Sequence, residues 1–246
     1  MRDLKFTKMQ GLGNDFVVLE GPRELNGDEI AWLCDRRFGI GADGVLVVTP
    51  GDPIRMEYWN ADGSPAEMCG NGLRCVARYA FDSGWVGGPE FTVATPVGPR
   101  RVRVHSGEVE VELGEPRVGE RRSVDGVEVQ LVEVGNPHAV IFVDDPADVD
   151  VQGVGASLQR EFPEGINVEF VAIDGETLTM RVWERGVGET LACGTGMVAA
   201  AVAAQPSPGA VAVRVPGGVG TVRLDQGTAW LSGPAEYAFS GTVGGR

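Results

Sequence analysis

The sequence is poor in the residues that build metal sites and disulfide frameworks. Its 246 residues include only two histidines and four cysteines, and no two cysteines form a Cys-x-x-Cys pair. A zinc site of ordinary spacing is therefore hard to assemble. A chain of this length does not need disulfides for stability, so each cysteine is expected to be either a buried apolar residue or a reactive thiol.

Positive charge and long apolar segments are also scarce. The chain has 21 basic and 35 acidic residues and a net charge of −14, which disfavours nucleic acid and anionic membranes as partners. No apolar run approaches the roughly 20 residues of a membrane span. The first ten residues lack the apolar core of a signal peptide. We therefore expect a cytoplasmic protein that acts on a small molecule.

Many short β-branched segments are separated by glycine and proline, which number 37 and 15. They predict strands at 16–19, 45–48, 54–59, 91–95, 102–104, 109–113, 127–134, 139–143, 168–173, 178–183 and 211–215. Helices are predicted at 28–38, with Asp28 as a capping residue and Gly39 as the stop, at 154–162, and after two of the cysteines. The predicted fold class is α/β in the broad sense (α+β), with more strands than helices.

The chain also repeats itself. Residues 56–72 align without gaps with residues 180–196, and residues 13–18 align with residues 135–140. Two ordered matches at nearly the same offset indicate a duplication, which predicts two pseudo-symmetric lobes and not a solenoid. The polar stretch 114–122 is the predicted boundary between the lobes.

Two of the four cysteines occupy equivalent positions in the repeat. Cys69 and Cys193 are 124 residues apart (193 − 69), and each begins a Cys-Gly-x-Gly motif that leads into a predicted helix. The helix after Cys69 is amphipathic, and the one after Cys193 is apolar on every side, which predicts a central buried helix. Cys34 and Cys75 have no repeat mates, and we expect both in the core.

The paired motifs predict a particular chemistry. A helix N-terminus favours thiolate over thiol and binds a carboxylate. If the two lobes face one another, one sulfur can remove the α-proton of an amino acid and the other can return a proton to the opposite face. Backbone N–H groups in a dry cleft would stabilise the developing charge. This reaction needs no Schiff-base cofactor, and the sequence has no nucleotide-binding glycine motif.

Several other polar residues have simpler structural explanations when taken alone. His138 could be an ordinary buried histidine, and Arg185 could be a surface charge. Asn60 and Glu184 occupy equivalent repeat positions nine residues before each cysteine, where they could cap turns.

The sequence resembles the diaminopimelate epimerase family in a set of motifs that extends, in order, through most of the chain. These are Lys8–Phe16, Gly39–Gly44, Asn60–Ser64, Met68–Gly72, Gly135–His138, Glu184–Gly186, Gly188–Thr190, Ala192–Gly196 and Val215–Gly218. Either Cys-Gly-x-Gly motif alone would be a weak signal, whereas the full set is highly specific.

The resemblance implies a fold of two pseudo-symmetric lobes, each a mixed or antiparallel sheet wrapped around a central helix. The lobes would comprise residues 1–115, joined by a returning C-terminal strand at 235–246, and residues 116–234. It implies a homodimer that interconverts LL- and meso-diaminopimelate in lysine and peptidoglycan precursor synthesis without PLP or metal.

The resemblance also implies roles for individual residues. Cys69 and Cys193 match the catalytic pair, and His138 and Glu184 match residues that tune the two thiols. The substrate-binding positions that the family implies are Asn14, Asn60, Gly70, Asn71, Asn136, Asn167, Glu184, Arg185, Gly194 and Thr195. An arginine suits a distal carboxylate, and Glu and Asn oxygens suit an ammonium group.

The sequence departs from the family at two places. Some family members carry Gln where this chain has Gly44, and the helix after Cys193 is expected to end early at 205–208. Neither departure falls on a cysteine motif.

Four competing functions stay open. A proline or hydroxyproline racemase is disfavoured by Asn71, where such enzymes tend to have His, and by Arg185. The second is a racemase for a different long polar amino acid such as histidine. The third is a thiol redox protein that uses a Cys69–Cys193 disulfide, and the fourth is a non-catalytic protein that binds a small molecule.

Overall fold

The structure is a computed structural model that describes residues 3–66, 68–204 and 209–244. Within the described residues, eighteen strands and four α-helices confirm the sheet-rich α+β class. The strands are β1 Leu4–Gly11, β2 Asn14–Glu20, β3 Gly44–Thr49, β4 Ile54–Asn60, β5 Pro65–Ala66, β6 Glu90–Thr95, β7 Gly98–Val104, β8 Val109–Gly114, β9 Arg117–Val124, β10 Val127–Glu133, β11 Pro137–Phe142, β12 Asn167–Asp174, β13 Thr177–Glu184, β14 Gly188–Thr190, β15 Ala210–Val215, β16 Gly218–Asp225, β17 Thr228–Gly233 and β18 Glu236–Val243.

The four α-helices of the described residues are fewer than the strands. They are α1 Gly27–Cys34, α2 Gly70–Asp82, α3 Val151–Arg160 and α4 Gly194–Ala204. The chain divides into two compact units. The first contains the described residues up to Val111 and from Gly233 onward, and the second contains Glu112–Ser232. These boundaries lie a few residues before the sequence-based ones at 115 and 234.

The first unit is built on a mixed sheet. Strand β1 pairs antiparallel with β18 and with β2. Strand β2 then pairs in parallel with β3, which pairs antiparallel with β4. Strand β4 pairs in parallel with β6, and β6, β7 and β8 continue as antiparallel neighbours. Helix α1 makes the crossover between β2 and β3, because parallel neighbours need a long connection.

The second unit repeats this order strand for strand. Strand β10 pairs antiparallel with β9 and β11, β11 pairs in parallel with β12, and β12 pairs antiparallel with β13. Strand β13 pairs in parallel with β15, and β15, β16 and β17 are antiparallel neighbours. Helix α3 makes the crossover that α1 makes in the first unit. The duplication in the sequence is therefore present in the topology of each unit.

A buried helix lies at the centre of each unit. Helix α2 buries the predicted apolar face, including Leu73, Val76, Ala77 and Ala80. Helix α4 is buried from Met197 to Val202, as its uniformly apolar sequence predicts. Each large apolar side chain that is fully removed from water contributes about 1.5–3 kcal/mol. This packing fixes where the N-terminus of each helix, and therefore each cysteine loop, lies.

The first helix differs from its prediction at both ends. It begins after Asn26 and not after Asp28, because Asn26 and Glu29 form a reciprocal capping box with two bonds of 3.0 Å. It ends at Cys34 and not at residue 38. The Asp35 carboxylate accepts hydrogen bonds from the backbone N–H groups of residues 37 and 38, at 2.7 and 2.8 Å, and folds them into a turn.

The third helix spans Val151–Arg160 and not 154–162. Asp150 caps it by accepting from the Gly153 N–H group at 2.9 Å, which starts the helix one turn earlier. The polar stretch predicted as a boundary is largely strand β9. Its backbone pairs with β10 while its side chains are exposed, so it has no apolar alternation. The sequence pattern also omits strands β1, β5, β14, β16 and β17, and the predicted helix end at 205–208 lies outside the described residues.

Candidate active site

Each repeated cysteine lies immediately before the central helix of its unit, with the same backbone contacts. The Cys69 carbonyl accepts from the Leu73 N–H group at 2.8 Å, and the Cys193 carbonyl accepts from the Met197 N–H group at 2.9 Å. Each sulfur accepts from the N–H group three residues later, Gly72 at 3.4 Å and Gly196 at 3.3 Å. The thiols therefore lie at helix N-termini, where the helix dipole favours negative charge.

In the first unit, Cys69 contacts the predicted binding residue Asn14, which in turn contacts a second one, Asn71. Its Sγ–H donates to Asn14 Oδ1 at 3.4 Å, and the same oxygen accepts from Asn71 Nδ2 at 3.3 Å. Asn14 is held from its other side, since its Nδ2 donates to Asp43 Oδ2 at 2.7 Å. The structure thus brings Cys69, Asn14 and Asn71 together, and we call these three residues the Cys69 cluster.

A charged network holds the loop that carries Asn14. Lys8 Nζ lies 2.7 Å from Asp15 Oδ2, and the Arg36 guanidinium binds both Asp15 and Asp43. Burial raises the pKa of Asp15, but hydrogen bonds from Arg36 and Lys8 outweigh it and lower the pKa to about 2. Asp15 and Asp43 fall in the Lys8–Phe16 and Gly39–Gly44 motifs, and their structural role explains why charged residues occur there.

In the second unit, Cys193 is more deeply buried, with only 6% of its surface exposed. Its Sγ lies 3.4 Å from the hydroxyl of Thr195. Burial raises the pKa of the Cys193 thiol well above its ordinary value, and the negative charges of Glu184 and Glu169 raise it further. The Thr195 hydroxyl and the Gly196 N–H group oppose this shift only in part. These interactions favour the thiol form of Cys193 over its thiolate.

Glu184 lies beside Cys193 and is itself perturbed. Burial raises the pKa of the Glu184 carboxyl, and hydrogen bonds from Thr190 and Cys193 counteract it. Thr190 Oγ1 donates to Glu184 Oε1, so the β14 hairpin holds the carboxylate in place. A carboxyl group whose pKa is raised and which accepts from a thiol can receive the proton of that thiol. Glu184 and Cys193, with Thr195, form what we call the Cys193 cluster.

His138 is fully buried and pairs with Glu169, which is not among the predicted site residues. Its Nδ1 lies 2.6 Å from Glu169 Oε1, and its Nε2 lies 2.9 Å from Asn136 Oδ1. Glu169 is also fully buried, and its carboxylate occupies the space beside the first turn of α4. A Cβ on Gly196 would lie 2.8 Å from Glu169 Oε1, which explains the second glycine of this Cys-Gly-x-Gly motif. Glu169 thus fixes the ring orientation of His138.

The remaining predicted binding residues occupy two places. Asn167 donates from Nδ2 to the Pro137 carbonyl at 3.0 Å and accepts from the Arg185 N–H group at 2.9 Å. The exposed Arg185 guanidinium donates to the Glu164 carbonyl at 3.2 Å. In the first unit, Asn60 Nδ2 donates to Ser64 Oγ at 3.1 Å. This contact belongs to the turn that follows β4, as the capping explanation expects.

Cys34 and Cys75 are buried, as predicted, and burial raises their pKa values to about 11 and about 12. None of the four cysteines, all of which are described, is joined in a disulfide. The described ranges contain no group of three or more His, Cys, Asp or Glu residues arranged to hold a metal ion. They also contain no helix long and apolar enough to cross a membrane.

Solved structures show which class of protein has this fold. The PhzF-family phenazine biosynthesis protein of Bacillus anthracis superimposes with a TM-score of 0.78 at 14% identity, covering 99% of both chains. A hydroxyproline epimerase from Agrobacterium vitis gives a TM-score of 0.72 at 17% identity, covering 99% of this chain and 91% of that one. The fold is therefore the one shared by PhzF-family proteins and amino-acid epimerases and racemases.

Sequence comparison then identifies the family. The diaminopimelate epimerase family model matches residues 6–119 and 130–237, so the chain belongs to the diaminopimelate epimerase family. A diaminopimelate epimerase of Thermobifida fusca is 45% identical over 269 aligned positions, and one of Desulfitobacterium hafniense is 40% identical over 277. Each alignment covers 98% of this chain and 98% of the relative. The predicted family and the predicted isomerase class are confirmed.

Proposed function

We propose that this protein interconverts LL- and meso-diaminopimelate, a step in the synthesis of lysine and of peptidoglycan precursors. The observation that carries the proposal is the pair of equivalent thiols at equivalent helix N-termini, in a chain whose family is named for this reaction. The chemistry uses side chains of this chain and needs neither PLP nor a metal ion.

Cys69 and Cys193 are the acid and base of this proposal. One sulfur, as thiolate, removes the α-proton, and the other, as thiol, delivers a proton to the opposite face of the same carbon. Backbone N–H groups at the start of α2 and α4, around Gly70–Asn71 and Gly194–Thr195, bind the reacting carboxylate, because a helix cannot pair these groups internally. They also stabilise the negative charge that develops when the α-proton leaves.

The other site residues have supporting roles in the proposal. Glu184 exchanges a proton with Cys193, and His138, oriented by Glu169, tunes the thiol chemistry. Asn14, Asn60, Asn136, Asn167, Glu184 and Arg185 hold the substrate, several of them at its distal amino-acid end. Arg185 is exposed and presents a forked donor suited to a carboxylate. A racemase acting on proline has no distal carboxylate for such a residue to bind.

Pure reduced protein incubated with LL-diaminopimelate in D₂O tests this function. We expect meso-diaminopimelate to form with deuterium at one α-carbon, and we expect no comparable exchange with proline, hydroxyproline or histidine. Chiral chromatography with mass spectrometry measures both products and label. Exchange confined to another amino acid, or none with both thiols reduced, would refute the assignment of substrate. We also expect that oxidation joining the two sulfurs inactivates the protein and that dithiothreitol restores its activity.

We further propose that the protein is a cytoplasmic homodimer in which each subunit contains both of the units described above. The acidic composition and the low number of cysteines support the compartment. The exposed aromatic side chains of Tyr237 and Phe239 on β18 support a self-association surface, and Phe239 packs edge-on against Phe6 at 5.8 Å. Light scattering should give twice the chain mass of 26.0 kDa. A monomer at micromolar concentration would contradict this proposal.

A further inference from the structure

The most unusual buried charge in the first unit is Arg74, on the first turns of α2. Its side chain has no exposed surface and is among the largest fully buried ones in the chain. A cation is removed from water at a large cost unless other groups compensate it. Burial accordingly lowers the pKa of the Arg74 guanidinium.

The fold makes room for this side chain and fixes it against the Cys69 cluster. Nη2 donates to Asn71 Oδ1 at 2.8 Å, and Nε donates to the Pro234 carbonyl at 3.2 Å. A Cβ on Gly11 would lie 3.1 Å from Nη2, and one on Gly233 would lie 3.3 Å from Cζ. Both glycines therefore leave space that the guanidinium fills. Two hydrogen bonds, through Asn71, link the guanidinium to Asn14, and a third links Asn14 to the Cys69 sulfur.

The guanidinium lacks the partner that usually compensates a buried arginine. Its Nη1 has no hydrogen-bond partner in the described part of the chain, and none of the ion pairs found there includes Arg74. The acidic groups whose negative charge would raise the pKa of Arg74 are Cys75, Cys69 and Glu108. Cys75 stays neutral because burial raises its pKa to about 12. Glu108 is exposed, so water and salt screen its charge.

Cys69 is therefore the acid whose ionisation best compensates the buried cation. Other groups act on the same sulfur. The Gly72 N–H group favours the thiolate, whereas Asn14 Oδ1 favours the thiol, and Asp43 lies behind Asn14 as a further negative charge. A positive charge in the low-dielectric interior acts more strongly than the same charge in water. Arg74 thus offsets the acceptor and the carboxylate that oppose ionisation.

The second unit has no cation at the position equivalent to Arg74, and negative charges lie near its cysteine instead. At the offset of 124 residues that relates Cys69 to Cys193, the counterpart of Arg74 is Val198. The Cys193 thiol instead has the carboxylates of Glu184 and Glu169 nearby, and both disfavour its thiolate. The repeat therefore keeps the two cysteines equivalent in backbone position and makes them opposite in electrostatic environment.

We propose that Arg74 is a positioning residue, which orients Asn71 and supplies the buried positive charge that makes Cys69, and not Cys193, the thiolate of the resting protein. This inference rests on the proposed function, because it assigns the starting proton of the two-cysteine pair. The free protein then holds one thiolate and one thiol, which is the state that proton abstraction by Cys69 requires.

The rate of alkylation by iodoacetamide, followed at each cysteine by peptide mapping from pH 5 to 10, tests the proposal. In the parent chain, Cys69 should reach half-maximal reactivity at lower pH than Cys193. Arg74→Met should move the Cys69 midpoint upward by about one pH unit or more and slow its alkylation at neutral pH about tenfold. The Cys193 midpoint should not move. Arg74→Lys keeps the positive charge, so its Cys69 midpoint should lie close to that of the parent chain.

Arg78→Met is the matched control, since Arg78 lies one turn further along α2 and pairs with Asp82 at 3.4 Å on the surface. It should leave the Cys69 midpoint unchanged. An unchanged midpoint in folded Arg74→Met would overturn the proposal. If Arg74→Met does not fold, the parent chain alone still tests the proposal. A lower midpoint for Cys193 than for Cys69 in the parent chain would overturn it. The two proposals can fail separately. If Arg74→Met raises the Cys69 midpoint but the parent chain converts no diaminopimelate, the proposed function is wrong and the electrostatic role of Arg74 stands.

Discussion

Replacement of either Cys69 or Cys193 by alanine is expected to abolish epimerisation, with kcat/KM falling by about 1,000-fold or more. Each alanine removes one of the two groups that must donate or accept a proton, and the contacts of the two clusters offer no second thiol in its place. Cys34 and Cys75 cannot substitute, because both are buried and burial raises their pKa values to about 11 and about 12. Conversion of LL- to meso-diaminopimelate, followed by chiral chromatography, measures the loss.

Cys34→Ala is the matched control for these variants. Cys34 packs in the core around α1 and belongs to neither cluster. Its replacement should cost stability, by about 1 kcal/mol for a small buried group, and leave kcat/KM within a factor of about two. If a folded Cys69→Ala or Cys193→Ala protein keeps a tenth or more of the parent activity, the two-cysteine mechanism is wrong.

Glu184→Gln is expected to lower kcat about 100-fold, with a smaller change in KM. Glu184 is half-buried, desolvation raises the pKa of its carboxyl, and the carboxyl accepts a hydrogen bond from Cys193. An amide keeps the size and the acceptor oxygen but cannot take up the thiol proton. The rate constants in both reaction directions should fall together, because the equilibrium between the two isomers is independent of the catalyst.

Glu189→Gln tests whether any charge loss on the same hairpin has this effect. Glu189 lies on β14 and binds Arg181 at 2.7 Å near the surface, so its replacement should leave kcat unchanged. A rise in KM with kcat preserved in Glu184→Gln would assign Glu184 to substrate binding alone. That result would remove it from the proton transfer proposed for Cys193.

The duplication is the part of the fold that can be predicted best. The 56–72 and 180–196 segments match because they form the same structure twice, namely a strand, a short hairpin and the start of the central helix. Apolar periodicity identifies α2, and a uniformly apolar sequence identifies α4, because one face of α2 and nearly all of α4 are buried. Polar strands cannot be predicted in this way. Strand β9 is ordered by backbone pairing with β10, and its exposed side chains carry no signal of that pairing.

The cysteine positions can likewise be predicted, and the family resemblance implies His138 and Glu184 as residues that adjust their acidity, whereas Arg74 cannot be predicted in this way. Arg74 looks like a surface residue of an amphipathic helix, and its burial depends on the Pro234 carbonyl, 160 residues away along the chain. Glu169 does leave a signal in the sequence. Asn167 and Glu169 alternate along β12 and therefore project to the same side of the strand, and parallel pairing with β11 places His138 opposite Asn167.

In the proposed mechanism two different sulfurs handle the proton, and the distribution of deuterium between substrate and product distinguishes this from a single base. LL-diaminopimelate is converted in D₂O, and product and residual substrate are analysed at low conversion. Two bases predict that each meso molecule carries one solvent deuterium at the inverted carbon while recovered LL-diaminopimelate stays unlabelled. Deuterium appearing at the same initial rate in recovered substrate and product, or product that retains its original hydrogen, would show a single base and contradict the two-cysteine mechanism.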